Sequence, residues 1–170
     1  MSQRILTPTD GSATAGKPIA ADIEFAREGR ATLRYVACWG AISTALNLTW
    51  EIVQLPLYTL FREANLATIA YAVAHCTVGD VMIALASYGV AAITTQTWRW
   101  PITRPILGAV AAVPTGLVYT AFSEWLNVYV RHSWEYAPAM PTLYGIGVSP
   151  MLQWLVLPPI AVFLVRKVPM

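Results

Sequence analysis

The sequence predicts an all-α, polytopic membrane protein built as an antiparallel four-helix transmembrane bundle. Only 12% of the 170 residues are charged, about half the usual fraction of a soluble domain, while 56% are hydrophobic. The apolar residues also come in long blocks, not in the short periodic segments of a soluble core. Lys and Arg gather at the ends of those blocks. A net charge of +2 is too small to argue for a nucleic-acid partner.

Residues 1–32 form a polar N-terminal tail in this reading. Met1–Lys17 is rich in Ser, Thr, Gly and Pro and is expected to be flexible. Ile19–Arg30 mixes Ile23, Phe25 and Ala26 with charged residues and could form a short helix on the membrane surface. Met1–Arg30 has no apolar h-region, so no signal peptide is expected there.

The membrane domain is placed at 33–167. Its first span is about 33–57, ending near Pro56, because a helix loses a donor and meets a clash at proline. A polar turn follows at 59–65. The second span, 66–94, exceeds the roughly 20 apolar residues that cross a bilayer. It nevertheless holds His75 and Asp80. Gln96–Arg104 is a compact loop whose Trp98 and Trp100 suit an interfacial aromatic belt. The third span is about 105–129, with Pro114 expected to kink it. Gly108, Ala112 and Gly116 recur at four-residue steps, a spacing that lets helix backbones approach closely. Residues 130–147 carry Trp134, Tyr136 and Tyr144 and are expected to form an extracytoplasmic aromatic cap. The fourth span, 148–165, is short and interrupted by Pro158–Pro159.

Orientation follows from the positive charges. Arg27, Arg30, Arg34, Arg99, Arg104, Arg166 and Lys167 fall on one side of such a bundle, and only Arg62 and Arg131 on the other. The positive-inside rule then puts both termini in the cytoplasm. Cys38 and Cys76 sit near the starts of consecutive antiparallel spans, so a disulfide between them is not expected.

Polar groups recur inside the spans. At 100° per residue, Thr44, Asn47, Glu51, Gln54 and Tyr58 fall within about 80° on the first helix. Thr120, Glu124, Asn127 and Arg131 make a similar stripe on the third. On the second, Thr68, Tyr71, His75 and Gly79 share one face, while Cys76, Asp80 and Ser87 share another. Glu51, His75, Glu124 and Gln153 come out within roughly 10 Å of the outer edge of the hydrocarbon, and Asp80 near its middle. An ionisable group at such depth costs roughly 2.5–3.5 kcal/mol on insertion scales, so it faces protein or a water-filled cavity by default. The expected site is an outward-opening pocket lined by Glu51, His75, Asp80, Glu124, Asn47, Asn127 and Gln153, roofed by Trp134 and Tyr136.

Each of these groups also has an ordinary structural reading. Glu51 and Glu124 lie near enough to the surface to reach headgroup water, and His75 could be a core histidine bonded to a carbonyl. Metal binding would use His75, Glu51 and Glu124, but no HxxxH, ExxH or CxxC spacing is present. Haem ligation by two imidazoles would need both His75 and His132, which lie at different depths. Acid–base catalysis could use His75 beside a carboxylate, without any GxSxG or SxxK nucleophile motif. Transport through Asp80 would need oligomerisation of so small a chain. No cofactor is identified.

The strings NLTWEIVQLPLY (47–58), HCTVGD (75–80), SEWLNVYVR (123–131), WEYAPAMP (134–141) and SPMLQWLVLPP (149–159) resemble a group of small, uncharacterised bacterial four-span inner-membrane proteins. The likeness spans about 39–159. It implies a bacterial inner-membrane location and brings no activity, ligand or catalytic residue. The function expected is a non-catalytic accessory or binding subunit of a membrane assembly. Its partners would be membrane lipids, a lipid-like or quinone-like molecule, and a membrane protein or a second copy. The alternative is a small intramembrane enzyme acting through a His/carboxylate cluster on a lipid or isoprenoid.

Overall fold

A computed structural model describes residues 16–169, those before 29 through their backbone alone. Helical residues make up 79%. Helix α1 runs Gly16–Gln54 and passes into a 3₁₀ turn at Leu55–Leu57, where Pro56 ends it. A four-residue helix, α2 (Leu60–Glu63), leads to α3 (Leu66–Thr95). Asn65 starts α3 by accepting the Thr68 N–H at 3.0 Å, and Gln96 ends it in the left-handed region. Short α4 (Trp100–Thr103) precedes α5 (Pro105–Trp125), which closes in a π turn at Leu126–Val130. Strands β1 (Thr142–Leu143) and β2 (Ile146–Gly147) pair as a hairpin. Its two turn residues, Tyr144 and Gly145, both have positive φ, the twist that a two-residue hairpin loop requires. Helix α6 (Val148–Val165) completes the fold.

Helices α3, α6 and the α5 segment through Val130 are each long and apolar enough to cross a membrane. Their limits lie close to the expected spans. Helices α1 and α5 each pack against both α3 and α6. The outer surface is apolar, with Val53, Leu66, Met82, Ile93, Ile106, Val118 and Phe163 all more than half exposed. The interior holds Ser43, Asn47, Gln54, Thr77, Ser87, Thr120, Glu124 and Gln153. Apolar outside and polar inside reverses the soluble pattern and suits a multi-pass membrane protein.

Several expectations need correction. Residues 16–32 belong to the same helix as residues 33–54, where the first span is expected, instead of forming a separate surface helix. No proline interrupts the chain between Pro18 and Pro56, and polarity alone does not end a helix. The rest of the expected flexible tail, residues 1–15, lies outside the described residues. Helix α6 runs unbroken through Pro158–Pro159. Neighbouring helices can compensate the lost backbone donors, and Pro158 is buried among them. The cap contains a small hairpin, so the chain is not purely helical.

Trp100 is also not a belt residue. It is fully buried, while Trp98 is half exposed. Trp100 meets Trp39 and Tyr88 at ring-centroid distances of 5.3 Å each, in edge and tilted geometries that aromatic pairs prefer. The Trp39 indole donates to the Ala84 carbonyl at 3.0 Å, and the Tyr88 hydroxyl donates to the Trp98 carbonyl. Arg104 reaches back to the Thr95 carbonyl at 3.1 Å, closing the C-terminus of α3. This aromatic plug seals the loop end of the helices, opposite the cap.

The small residues of α5 receive indole rings. A Cβ at Gly108 would lie 1.9 Å from Trp100 Cε3, and one at Gly116 would lie 2.0 Å from Trp154 Cε3. Gly116→Ala is therefore expected to cost ~1–3 kcal/mol through overpacking, read as a lower melting midpoint in detergent. Gly89→Ala, where a new Cβ meets nothing within 4 Å, is expected to leave the midpoint unchanged or raise it. Equal effects at both positions would contradict the seating of Trp154 on α5.

Candidate functional site

Four buried stretches of chain converge beneath the cap. The inward face of α1 presents Ser43, Asn47, Glu51 and Gln54; α3 presents Asp80; α5 presents Glu124; α6 presents Ser149 and Gln153. Residues four apart on a helix stack on one face, which is why these groups reach the interior together. Among the described residues, no Lys, Arg or His side chain pairs with the three carboxyl groups.

Gln153 is at the centre. Its side-chain nitrogen donates to Asn47 Oδ1 and to Asp80 Oδ2, both at 2.7 Å. One amide therefore ties α6 to α1 and to α3. Asn47 uses its own amide nitrogen on the Ser43 carbonyl at 2.8 Å. Gln54 donates to Glu51 Oε1 at 2.6 Å, while its oxygen accepts from Ser149 at 2.9 Å and from the Trp50 indole at 3.2 Å. Glu51 and Asp80 are neighbours within this cluster. Cys76 borders the carboxyl cluster as a free thiol.

Glu124 anchors the cap. Tyr136 donates to Glu124 Oε2 at 2.6 Å, and the Tyr58 hydroxyl stands 3.5 Å from the same oxygen, at the limit of a useful bond. The Gly147 N–H donates to the Tyr136 oxygen at 2.9 Å. The backbone pairs Tyr58 with Tyr136 through Thr59 N–H to Glu135 O at 3.0 Å and Ala137 N–H to Leu57 O at 2.9 Å. Trp134 lies beside Glu124, but its indole N–H forms no aligned hydrogen bond.

Glu51, Asp80, Glu124, Asn47 and Gln153 are thus brought together, with Tyr136 and Trp134 above them. One expected member, His75, is not. His75 is exposed on the outer face of α3, where its ring stacks on Tyr71 at 5.7 Å and 15°. His75 and Asp80 are five residues apart, about 140° around a helix, so both cannot point inward. The expected metal set of His75 with Glu51 and Glu124 is therefore not assembled. No three His, Cys, Asp or Glu side chains among the described residues are placed to hold a metal ion. Asn127 is partly buried, and its amide bonds back to the Ser123 carbonyl at 2.9 Å. Thr44 is exposed and bonded to the Gly40 carbonyl, so Ser43 takes its expected place on the inward face.

Gln54, Ser149, Tyr58 and Cys76 are not among the lining residues expected from the sequence. Gln54 and Tyr58 lie on the Glu51 stripe, and Cys76 shares a face with Asp80. Ser149 carried no signal, since only the fold sets it opposite Gln54.

The arrangement is a packed network, not an open cleft. A bulky ligand would have to displace the Tyr58–Tyr136 roof to reach the carboxyl groups. Fold and site together define a multi-pass membrane protein with a buried carboxyl–amide–phenol network. No protein-family model, no curated protein and no solved structure matches the chain.

Burial and the nearby Glu124 carboxyl push both Tyr58 and Tyr136 above the ordinary tyrosine range. The folded state then keeps phenol protons that the unfolded chain releases near pH ~10. Stability from these residues is therefore full below about pH 10 and declines above it. Tyr58→Phe with Tyr136→Phe is expected to flatten that alkaline decline in melting midpoint. At neutral pH, Tyr136→Phe alone is expected to cost roughly 1–3 kcal/mol by leaving the buried Glu124 oxygen underserved. An alkaline decline unchanged in the double variant would contradict the network.

Proposed function

We propose that this chain is a four-span protein of the bacterial inner membrane, with both termini cytoplasmic, that serves as a non-catalytic accessory subunit of a membrane assembly. One observation carries the proposal: the interior carboxyl groups are satisfied within the bundle, while the imidazole of His75 is turned outward. Glu51, Asp80 and Glu124 are engaged with Gln54, Gln153 and Tyr136 on other turns and elements. No nucleophile–base pair stands among them, and this pattern suits an interhelical lock. An ionisable ring facing hydrocarbon is costly, so its presence marks a surface that another molecule covers. The stacked Tyr71–His75 pair offers an aromatic face and a hydrogen-bonding edge. That chemistry suits a partner helix or the headgroup of a lipid-like or quinone-like molecule. The uneven distribution of Arg and Lys supports the orientation, and the motif resemblance supports the compartment.

Purification in mild detergent with mass spectrometry tests the assignment. His75→Ala is expected to lose a co-purifying protein, lipid or quinone at least tenfold, while yield and melting midpoint stay unchanged. Glu124→Ala is expected to reduce folded yield itself. Unchanged co-purification in His75→Ala would defeat the accessory reading. A turnover lost with assembly intact would favour the enzyme instead.

Orientation has a separate test. In a background lacking Cys38 and Cys76, cysteines introduced at Arg62 and Tyr144 are expected to react with a membrane-impermeant thiol reagent in intact spheroplasts. A cysteine at Lys167 is expected to react only after lysis. The reverse pattern would invert the topology.

A further inference from the structure

Basic side chains collect around the plug end of the bundle. Arg30 and Arg34 come from α1, Arg99 and Arg104 flank α4, and Arg166 and Lys167 follow α6; all are exposed. The plug draws these three stretches of chain together. Tyr35, Trp100 and Val165 share one buried cluster, and each is the sequence neighbour of a basic residue: Arg34, Arg99 and Arg166. The Arg99 guanidinium also stands 5.7 Å from the centre of the Tyr35 ring. A rim of cations thus borders an apolar centre.

Among the described side chains, no carboxylate stands at this end. Glu51, Asp80 and Glu124 belong to the interior network, and Glu63 and Glu135 lie on the cap side. No acidic residue is three or four positions from Arg30 or Arg34 on α1. The two are themselves four apart, a like-charge pair that a bound anion would relieve. Arg104 spends one of its five N–H donors on the Thr95 carbonyl, and Arg166 and Lys167 suit the negative end of α6. Those duties leave most of the donors open. Apolar surface begins directly beside the charges. Ile106, two residues from Arg104, is 80% exposed, and Lys167 Nζ stands 5.3 Å from the centre of the exposed Phe163 ring. Trp98, half exposed beside Arg99, suits the headgroup level of a bilayer.

We propose that this rim binds the phosphate headgroups of anionic phospholipids, whose acyl chains lie along Ile106 and Phe163. A free phosphate ion would answer the cations alone, whereas a lipid matches both the charge and the apolar surface beside it. Basic clusters at the ends of membrane helices attract anionic headgroups over about a Debye length. Binding of this kind requires the bundle to sit in a bilayer. It requires neither the orientation nor the accessory role proposed above.

Spin-labelled lipids in phosphatidylcholine vesicles test the rim. At low salt the reconstituted wild-type protein is expected to hold labelled phosphatidylglycerol roughly threefold or more over labelled phosphatidylcholine, with the preference shrinking as salt rises. Equal association of the two lipids would overturn the proposal without any variant. Arg30→Gln/Arg34→Gln/Arg166→Gln/Lys167→Gln keeps Arg99 and Arg104, which pack and cap, and is expected to bring the preference close to one. Arg62→Gln/Arg131→Gln, at the cap end, is expected to preserve it. A preference that survives the first variant, or disappears in the second, would overturn the assignment to the plug end. Millimolar inorganic phosphate at constant ionic strength is expected to leave the labelled lipid in place. Displacement would reveal a site for the phosphate ion and defeat the lipid reading.

Discussion

One side-chain nitrogen holds three helices in register. Gln153 spends both amide protons across helix boundaries, on Asn47 of α1 and Asp80 of α3, at 2.7 Å each. In water such bonds would add little, because solvent competes for the same groups. Among apolar helices in lipid the balance differs. Hydrocarbon around the bundle is as apolar as its own leucines, so the hydrophobic effect does little to choose one helix pairing over another. Shape and polar contact make that choice. A slip of α6 by one residue would turn the Gln153 amide about 100° away and leave Asp80 and Asn47 facing each other without it.

The cap depends on the same logic at its own end. Glu124 accepts from Tyr136, and Tyr136 accepts from the Gly147 N–H at the start of α6. The loop segment from the end of α5 to α6 is thereby folded down over the carboxyl groups instead of trailing into solvent. Tyr129 adds a bond to the Gly145 carbonyl at 2.7 Å, fixing the hairpin turn. Backbone pairing of Tyr58 with Tyr136 joins the α1 exit to this lid. The cap and the interior network are therefore one structure joined through a single carboxyl group.

Much of this was legible in the sequence, and the failures have physical causes. Long apolar blocks and their bounding Asn, Pro and Arg residues marked the helices, because length and end signals are local properties. The rise per residue put Glu51, Glu124 and Gln153 at one level, with Asp80 deeper. His75 misled because period alone says which residues share a face and not which face looks inward. Tyr71 and His75 made as coherent a stripe on α3 as Cys76 and Asp80 did. The role of Gly108 and Gly116 was half visible. Their size promised close approach, but only the fold shows that Trp100 and Trp154 are what approaches.

The interior is graded along the helix axis, and the grading limits what can pass. Near the cap stand three carboxyl groups and two phenols. Next come amides, then the buried Ser43 and Ser87, and last an aromatic plug with no ionisable carboxyl or amine. Each step offers less capacity to hold charge than the one before. A charge entering from the cap meets its best solvation at Glu51, Asp80 and Glu124 and an increasing cost beyond Asn47. A conducting pathway would need the opposite end to offer comparable partners, and Trp39, Tyr88 and Trp100 offer none. The hydrogen-bonded polar groups are therefore concentrated toward the cap, and the aromatic plug closes the other end of the bundle.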